Sequence, residues 1–246
     1  MFRKRPPQEA LPEGWRDTLA ARISHWQHLD PDEQERLGDL AGMLIDRKNW
    51  EAAQGFELDD EMVLVIAAQA ALLVLGLTFE HYREVGAIIV HPTTVVLHGP
   101  RGSSVQGLMT DAPMPILGQA AHKGPILIAW DAVAADARHP ERGHNVVFHE
   151  FAHKLDMLDD VVDGTPPLPP EQHDRWVEVC TKEYEHLQSG RDKLLSAYAG
   201  VNVGEFFAVA TEVFFDQPVQ MCEQKPDLYG VLSGFYQQDP ATRVRI

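Results

Sequence analysis

The 246-residue sequence predicts an α+β fold, and three observations predict it. The N-terminal third carries helix-start signals and apolar helical runs. Two β-branched runs bounded by Gly and Pro follow it. Helical patterns then return in the second half, so that strands are flanked by separate groups of helices, the arrangement of that class.

Taken in order, Asp30-Pro31-Asp32-Glu33 offers an N-cap, a proline at the first helical position and a glutamate at the third, opening a helix toward Ile45. Asp59 or Asp60 can cap the next helix, whose body is the apolar run from Met62 to Leu77. That run is shorter than the roughly 20 residues needed to cross a bilayer and has Gln69 in its middle, so it reads as a buried core helix. Val85 to Leu97 and Pro125 to Trp130 read as strands, with residues 98–115 (HGPRGSSVQGLMTDAPMP) as a loop between them. A helix follows from Asn145 to Leu158. The Pro-rich run from Asp163 to Pro170 reads as a stiff connector into a polar helix beginning near Glu171, and Glu205 to Asp216 forms one more helix. There are no internal repeats.

Composition narrows the function. With 44% apolar and 24% charged residues the chain is ordinary globular protein, long enough to bury a substantial core. A formal charge of −16 argues against a nucleic-acid binder, which needs a basic surface, and against an anionic membrane face. A small peptide or a protein partner fits better. Two cysteines cannot make a disulfide framework, and the basic start MFRKRPP runs on without an apolar stretch, so the expected location is the cytoplasm.

The stretch FHEFAHKLDMLDD, Phe148 to Asp160, holds the strongest chemical signal. At 100° per residue, Val147, Phe148, Phe151, Leu155 and Leu158 fall on one side of the helix, while His149, His153 and Asp156 gather on the other. Histidines at i and i+4 send two imidazoles to one point, the spacing that a tetrahedral zinc requires of a single helix. Glu150 sits about 100° round from His149, poorly placed as a third ligand and well placed to touch a water on the metal. Two histidines need a third protein ligand. The metzincin pattern would place a histidine at Asp159 and a helix-breaking glycine at Asp156, and neither is present. A glutamate from a later helix is the alternative: Glu205, Glu212 and Asp216 share a face, and spacing does not choose between Glu205 and Glu212. Asn202-x-x-Glu205 is also a possible capping box, which needs no metal. Asp156 is a candidate to steady His153 from behind.

Six stretches carry a resemblance: Gln54 to Asp59, Gly124 to Trp130, His149 to Asp156, Ala197-Tyr198-Ala199, the Glu205 helix, and Phe235 to Pro240. Together they resemble the Mlc titration factor A family of bacterial zinc peptidases. That family is similar at its zinc site to the catalytic domain of anthrax lethal factor, where a tyrosine seven residues before a ligand glutamate completes the site. Tyr198 and Glu205 have that separation. The resemblance therefore implies one Zn2+ held by His149, His153 and Glu205, a catalytic base at Glu150, an oxyanion-stabilising Tyr198 and aminopeptidase-type activity. Enterobacterial members carry a histidine able to approach the metal two residues after a Gly-Leu pair; here Gly107-Leu108 is followed by Met109 and Thr110. His98 and His122 flank that loop and read as surface histidines. The family name implies a second partner besides a peptide substrate, the glucose-responsive repressor Mlc.

Together these readings predict one zincin-like peptidase domain over residues 1–246, with an N-terminal helical scaffold at about 11–80 and a catalytic core at about 81–246. Such enzymes bind substrate as an added strand on a sheet edge, and Gly124 to Trp130 is the candidate edge. The rival reading is a non-catalytic, repressor-titrating protein with a structural zinc.

Overall fold

The computed structural model describes residues 3–4, 11–53, 55–93 and 124–244, and between 95 and 120 the strands given below. His98 and His122 lie outside the described residues. After β1 (Arg3–Lys4) come α1 (Trp15–Arg22), α2 (Pro31–Arg47), β2 (Asn49–Ala52) and α3 (Asp60–Leu73). The strands β3 (Ala87–His91), β4 (Val95–Leu97), β5 (Arg101–Gly102), β6 (Met109–Thr110), β7 (Met114–Ile116), β8 (Gly118–Ala120) and β9 (Ile126–Ala129) follow. The remaining helices are α4 (Trp130–Asp136), α5 (Val146–Asp156), α6 (Pro170–Gln188), α7 (Val203–Asp216), α8 (Pro218–Gln224), α9 (Pro226–Tyr236) and α10 (Pro240–Val244). Helix and sheet are mixed as an α+β arrangement, and β2 brings a strand from the predominantly helical N-terminal third into the sheet.

The helix starts obey their caps. Asp30 and Glu33 form the reciprocal capping box of α2, and Asp59, not Asp60, caps α3 by accepting from Met62 N at 2.8 Å. α3 is buried around its whole circumference, which explains a run with no polar face. No helix among the described residues is long and apolar enough to cross a membrane. Gln69 also has its reason: in this buried helix its Oε1 accepts from Asn145 Nδ2 at 2.8 Å, tying α3 to the cap of α5.

The main sheet has the order β1-β2-β3-β9-β8, with β2, β3 and β9 parallel and β1 and β8 antiparallel at its two sides. This corrects the expected edge. Ile126–Ala129 is an inner strand, because Gly118–Ala120 folds back on it and takes its outer hydrogen-bonding side. The stretch read as a loop also contains strands, with β4 pairing β7 and β5 pairing β6 in two-stranded ribbons. Pro115 in β7 obscured that reading, since proline is excluded from sheet interiors yet tolerated in such an edge pairing.

α5 packs against α3 on one side, β8 and β9 on another, and α7 on a third. The Pro-rich connector closes over the junction of α5 and α7. Gly164 N donates to Asp156 Oδ2 at 3.1 Å, and Gly164 O accepts from Trp176 Nε1 at 3.2 Å. Gly164 has φ 74°, and a Cβ there would meet Val203 O at 2.4 Å. Gly190 has a similar φ of 70° with nothing within 4 Å. Gly190→Ala should therefore cost only the left-handed penalty of about 1–2 kcal/mol, and Gly164→Ala about 1–3 kcal/mol more. Denaturant unfolding of the two variants measures the difference, and equal losses would show that the connector yields freely over α7.

Candidate metal centre

α5 begins with every early backbone donor engaged. Val146 N donates to Asp136 Oδ2 at 3.0 Å, and Val147 N and Phe148 N both donate to Asn145 Oδ1 at 3.1 Å. This cap fixes where the first turn of α5 stands. It also fixes α7, because Asn145 N donates to Glu212 Oε2 at 2.7 Å. The apolar stripe predicted for α5 is buried, with Val147, Phe148, Phe151 and Leu155 fully inside.

From the other face His149 and His153 meet Glu205. His149 Nε2 and His153 Nε2 are 3.2 Å apart, and Glu205 Oε2 lies 3.1 Å from the first and 3.4 Å from the second. That oxygen is buried and aligned to hydrogen-bond neither ring. Ligands about 2.0–2.1 Å from a tetrahedral zinc stand about 3.3–3.4 Å from one another, so the three atoms fit one face of such a site. Among the described residues these three side chains form the group able to hold a metal ion.

The structure separates the two glutamates. Glu205 starts α7, its backbone N capped by Asn202 Oδ1 at 2.9 Å while its carboxylate turns to the histidines. Glu212, two turns on, stands behind His149: its Oε1 is 2.7 Å from His149 Nδ1, and His144 Nδ1 is 2.8 Å from its Oε2. A carboxylate on Nδ1 orients the ring and leaves Nε2 facing the centre. His144 and Asn145 were the residues that sequence reading missed here. The cap signal of Asn145 was legible, but its link to Glu212 spans two helices. Asp156 is fully buried and bonds Gly164, while its Oδ1 and His153 Nδ1 have no partner among the described residues. The structure thus leaves Asp156 beside His153 without a direct hydrogen bond.

Glu150 is 3% exposed, and its Oε2 makes no hydrogen bond. Burial pushes its pKa up to about 7, against the opposing pull of His149 and His153. The Tyr198 ring lies over His149 at 5.9 Å between centroids and is 46% exposed. Its hydroxyl is held above the usual phenol range by burial and by the carboxylates of Glu205 and Glu150. For His149 burial disfavours the charged ring, but Glu205 and Glu212 outweigh it and hold the pKa well above the usual histidine range. Burial likewise opposes charge on Glu205, and the closeness of His149 and His153 wins, holding that carboxyl below its usual range.

The sequence model of the glucose-regulated metallo-peptidase M90 family matches residues 1–237. Mlc titration factor A of Serratia proteamaculans is 33% identical over 247 residues, covering 98% of this chain and 92% of that protein. The Mlc titration factor A of Edwardsiella ictaluri is 31% identical over 252 residues, with 99% and 94% covered. A protein of Synechocystis sp. is 32% identical over 240 residues, with 95% and 86% covered.

The protonation pattern makes a signed prediction for metal-free protein. The raised pKa of His149 stabilises the fold below the ordinary histidine value of 6.5, and this contribution is lost as pH rises through the folded value. Glu150 and Asp156, both pushed to about 7 by burial, hold protons that the unfolded chain has already lost, so their ionisation also destabilises the fold as pH rises. The lowered Glu205 and Glu212 act the other way, but only as pH falls through the ordinary carboxylate range. Thermal unfolding in chelator should therefore give a higher Tm at pH 5.5 than at pH 8. A higher Tm at pH 8 would contradict this account of the cluster.

Proposed function

Because the chain belongs to the glucose-regulated metallo-peptidase M90 family, we propose that it is a zinc-dependent peptidase in which His149, His153 and Glu205 hold the metal. The triangle of Nε2, Nε2 and Oε2 atoms, with sides of 3.1, 3.2 and 3.4 Å, is the observation that supports this best. Three protein ligands leave one tetrahedral position for solvent or substrate, as catalytic zinc requires and structural zinc does not. Bound zinc would supply Lewis acidity toward the scissile carbonyl and bring the pKa of water toward neutrality.

The remaining steps belong to the chain. Glu150 lines the same cavity as His149, and with a pKa near neutrality it can take a proton from the attacking water and return it to the leaving amine. Tyr198 stays protonated and donates its hydroxyl hydrogen to the oxyanion that develops on the substrate. Glu212 holds His149 in the orientation the centre needs. The outer strand next to α5 is β8, so an extended peptide would add to Gly118–Ala120, with aminopeptidase-type cleavage as the expected mode.

The names of the Serratia and Edwardsiella relatives favour a second activity, binding of an Mlc-type repressor. A chain of charge −16 can be steered to a basic partner, and such binding is stoichiometric and needs no turnover. Wild type and Glu150→Gln should then bind the host's Mlc-like repressor equally well in a titration, and loss of binding in the variant alone would tie the interaction to hydrolysis.

Zinc titration and peptide hydrolysis test the main reading together. Glu150→Gln should keep one zinc per chain and lose about 10²–10⁴-fold in kcat, and Tyr198→Phe should lose roughly 10²–10³-fold in rate with zinc retained. Glu205→Gln should abolish both zinc binding and hydrolysis, while Glu212→Gln should weaken zinc by about 10–100-fold through the loosened His149 ring. Folded protein that takes up no zinc, or an active Glu150→Gln, would refute the mechanism.

A further inference from the structure

Beside the metal centre lies a cavity of about 530 Å³ whose lining includes His149, Glu150 and Tyr198. Val146, Leu194, Leu195 and Val209 make part of its wall apolar. Two cations, Arg142 and Lys193, also line it. Among the lysines and arginines whose side chains are described, every other one has an ion pair, a hydrogen bond or an aromatic ring against it, as in Arg22–Glu61, Arg36 to Leu75 O, Arg47 over Phe79 and Lys225–Asp192. Among the described residues Arg142 and Lys193 meet none of these partners, and both face one cavity; Arg142 feels Asp136 and Glu141 only at longer range.

Their backbones are held in place. The turn Pro140–Arg142 is pinned by Gln217 Nε2 donating to Glu141 O at 2.7 Å. On the other side Asp192 Oδ1 accepts from Leu194 N and Leu195 N, both at 2.9 Å, and Asp192 pairs with the buried Lys225. The two cations therefore project from braced segments on different parts of the chain toward the same space.

Charge makes that placement informative. A chain of net charge −16 repels an anionic ligand at long range, but beyond about 8 Å physiological salt screens the repulsion, so the nearest charges decide. The carboxylates of the cavity do not neutralise this pair: Glu212 is engaged by His144, His149 and Asn145, and Glu150 is buried beside the histidines. We propose that the cavity is a substrate subsite for a carboxylate, with its apolar wall on the methylenes and Arg142 and Lys193 on the charge. The subsite rests on the peptidase reading for its place next to the scissile bond. A substrate carboxylate has two sources, an acidic side chain or a free C-terminus, and one experiment separates them.

Matched peptides carrying Glu, Gln or Leu next to the scissile bond, each with a free or an amidated C-terminus, are assayed for kcat/KM with zinc-loaded wild type and with the double variant Arg142→Gln/Lys193→Gln. In parallel, calorimetry measures binding of the same peptides to zinc-loaded Glu150→Gln with and without the double substitution. Wild type should favour the carboxylate-bearing member by about tenfold or more, the preference should shrink with added salt, and the double variant should bring the ratio close to one. Sensitivity to Glu→Gln identifies a side-chain carboxylate, and sensitivity to amidation identifies the C-terminus. Hydrolysis with no discrimination of either kind overturns the subsite and leaves the peptidase reading standing. Selective binding that the double variant loses, without hydrolysis of any peptide by wild type, supports the subsite and overturns the peptidase reading. Absence of both hydrolysis and selective binding overturns both.

Discussion

Three carboxylates buried on one face of α7 set the terms for the centre of this molecule. Glu205, Glu212 and Asp216 lie at i, i+7 and i+11 and are each less than a tenth exposed. An isolated buried carboxylate is costly enough to change its protonation or unfold its surroundings, so each must find a partner. Glu205 faces His149 and His153, Glu212 faces His149 and His144, and Asp216 lies 3.1 Å from His25 on the N-terminal segment. These pairings fix the register of α7 against α5 far more narrowly than Phe packing alone, because aromatic contacts such as Phe148 on Phe215 tolerate small slides and a 2.7 Å hydrogen bond does not. The candidate metal centre is then a consequence of register. Shifting α7 by one turn would put Val209 where Glu205 stands and leave two histidines without their carboxylates.

Much of this was readable in the chain because it is local. The two faces of α5, the capping box of α2, the Asn202 cap of α7 and the seven-residue separation of Tyr198 from Glu205 are all relations within one helix or across one turn. The histidine pair and Glu150 needed only 3.6-residue periodicity. The choice between Glu205 and Glu212 was open from spacing because both occupy the same face of α7, and only the rise of two turns against a capped α5 separates them in space. Family resemblance favoured Glu205, and the geometry shows what Glu212 does instead, bridging the Asn145 backbone to the His149 ring.

The sheet edge was not legible for a different reason. Ile126–Ala129 is apolar and β-branched, and such a run can lie at the edge or inside. Its neighbour Gly118–Ala120 is short and carries little strand signal, so the pairing that buries β9 leaves almost no trace in composition. Arg142 and Lys193 were equally silent: isolated cations in turns have no periodicity, and their meaning comes from the cavity between Pro140–Arg142 and the Asp192 loop. The contrast between a negative chain and a cationic cavity wall exists only in three dimensions.

The central claim is that α7 supplies the third metal ligand through Glu205 and steadies the first through Glu212. A crystal structure of zinc-loaded protein, with the ion located by anomalous scattering at the zinc edge, tests it most directly. The account predicts one peak bonded to His149 Nε2, His153 Nε2 and a Glu205 oxygen, with Glu212 on His149 Nδ1 and a coordination position open to the cavity. A peak bonded to Glu212 in place of Glu205, or a fully protein-coordinated ion closed to the cavity, would contradict it.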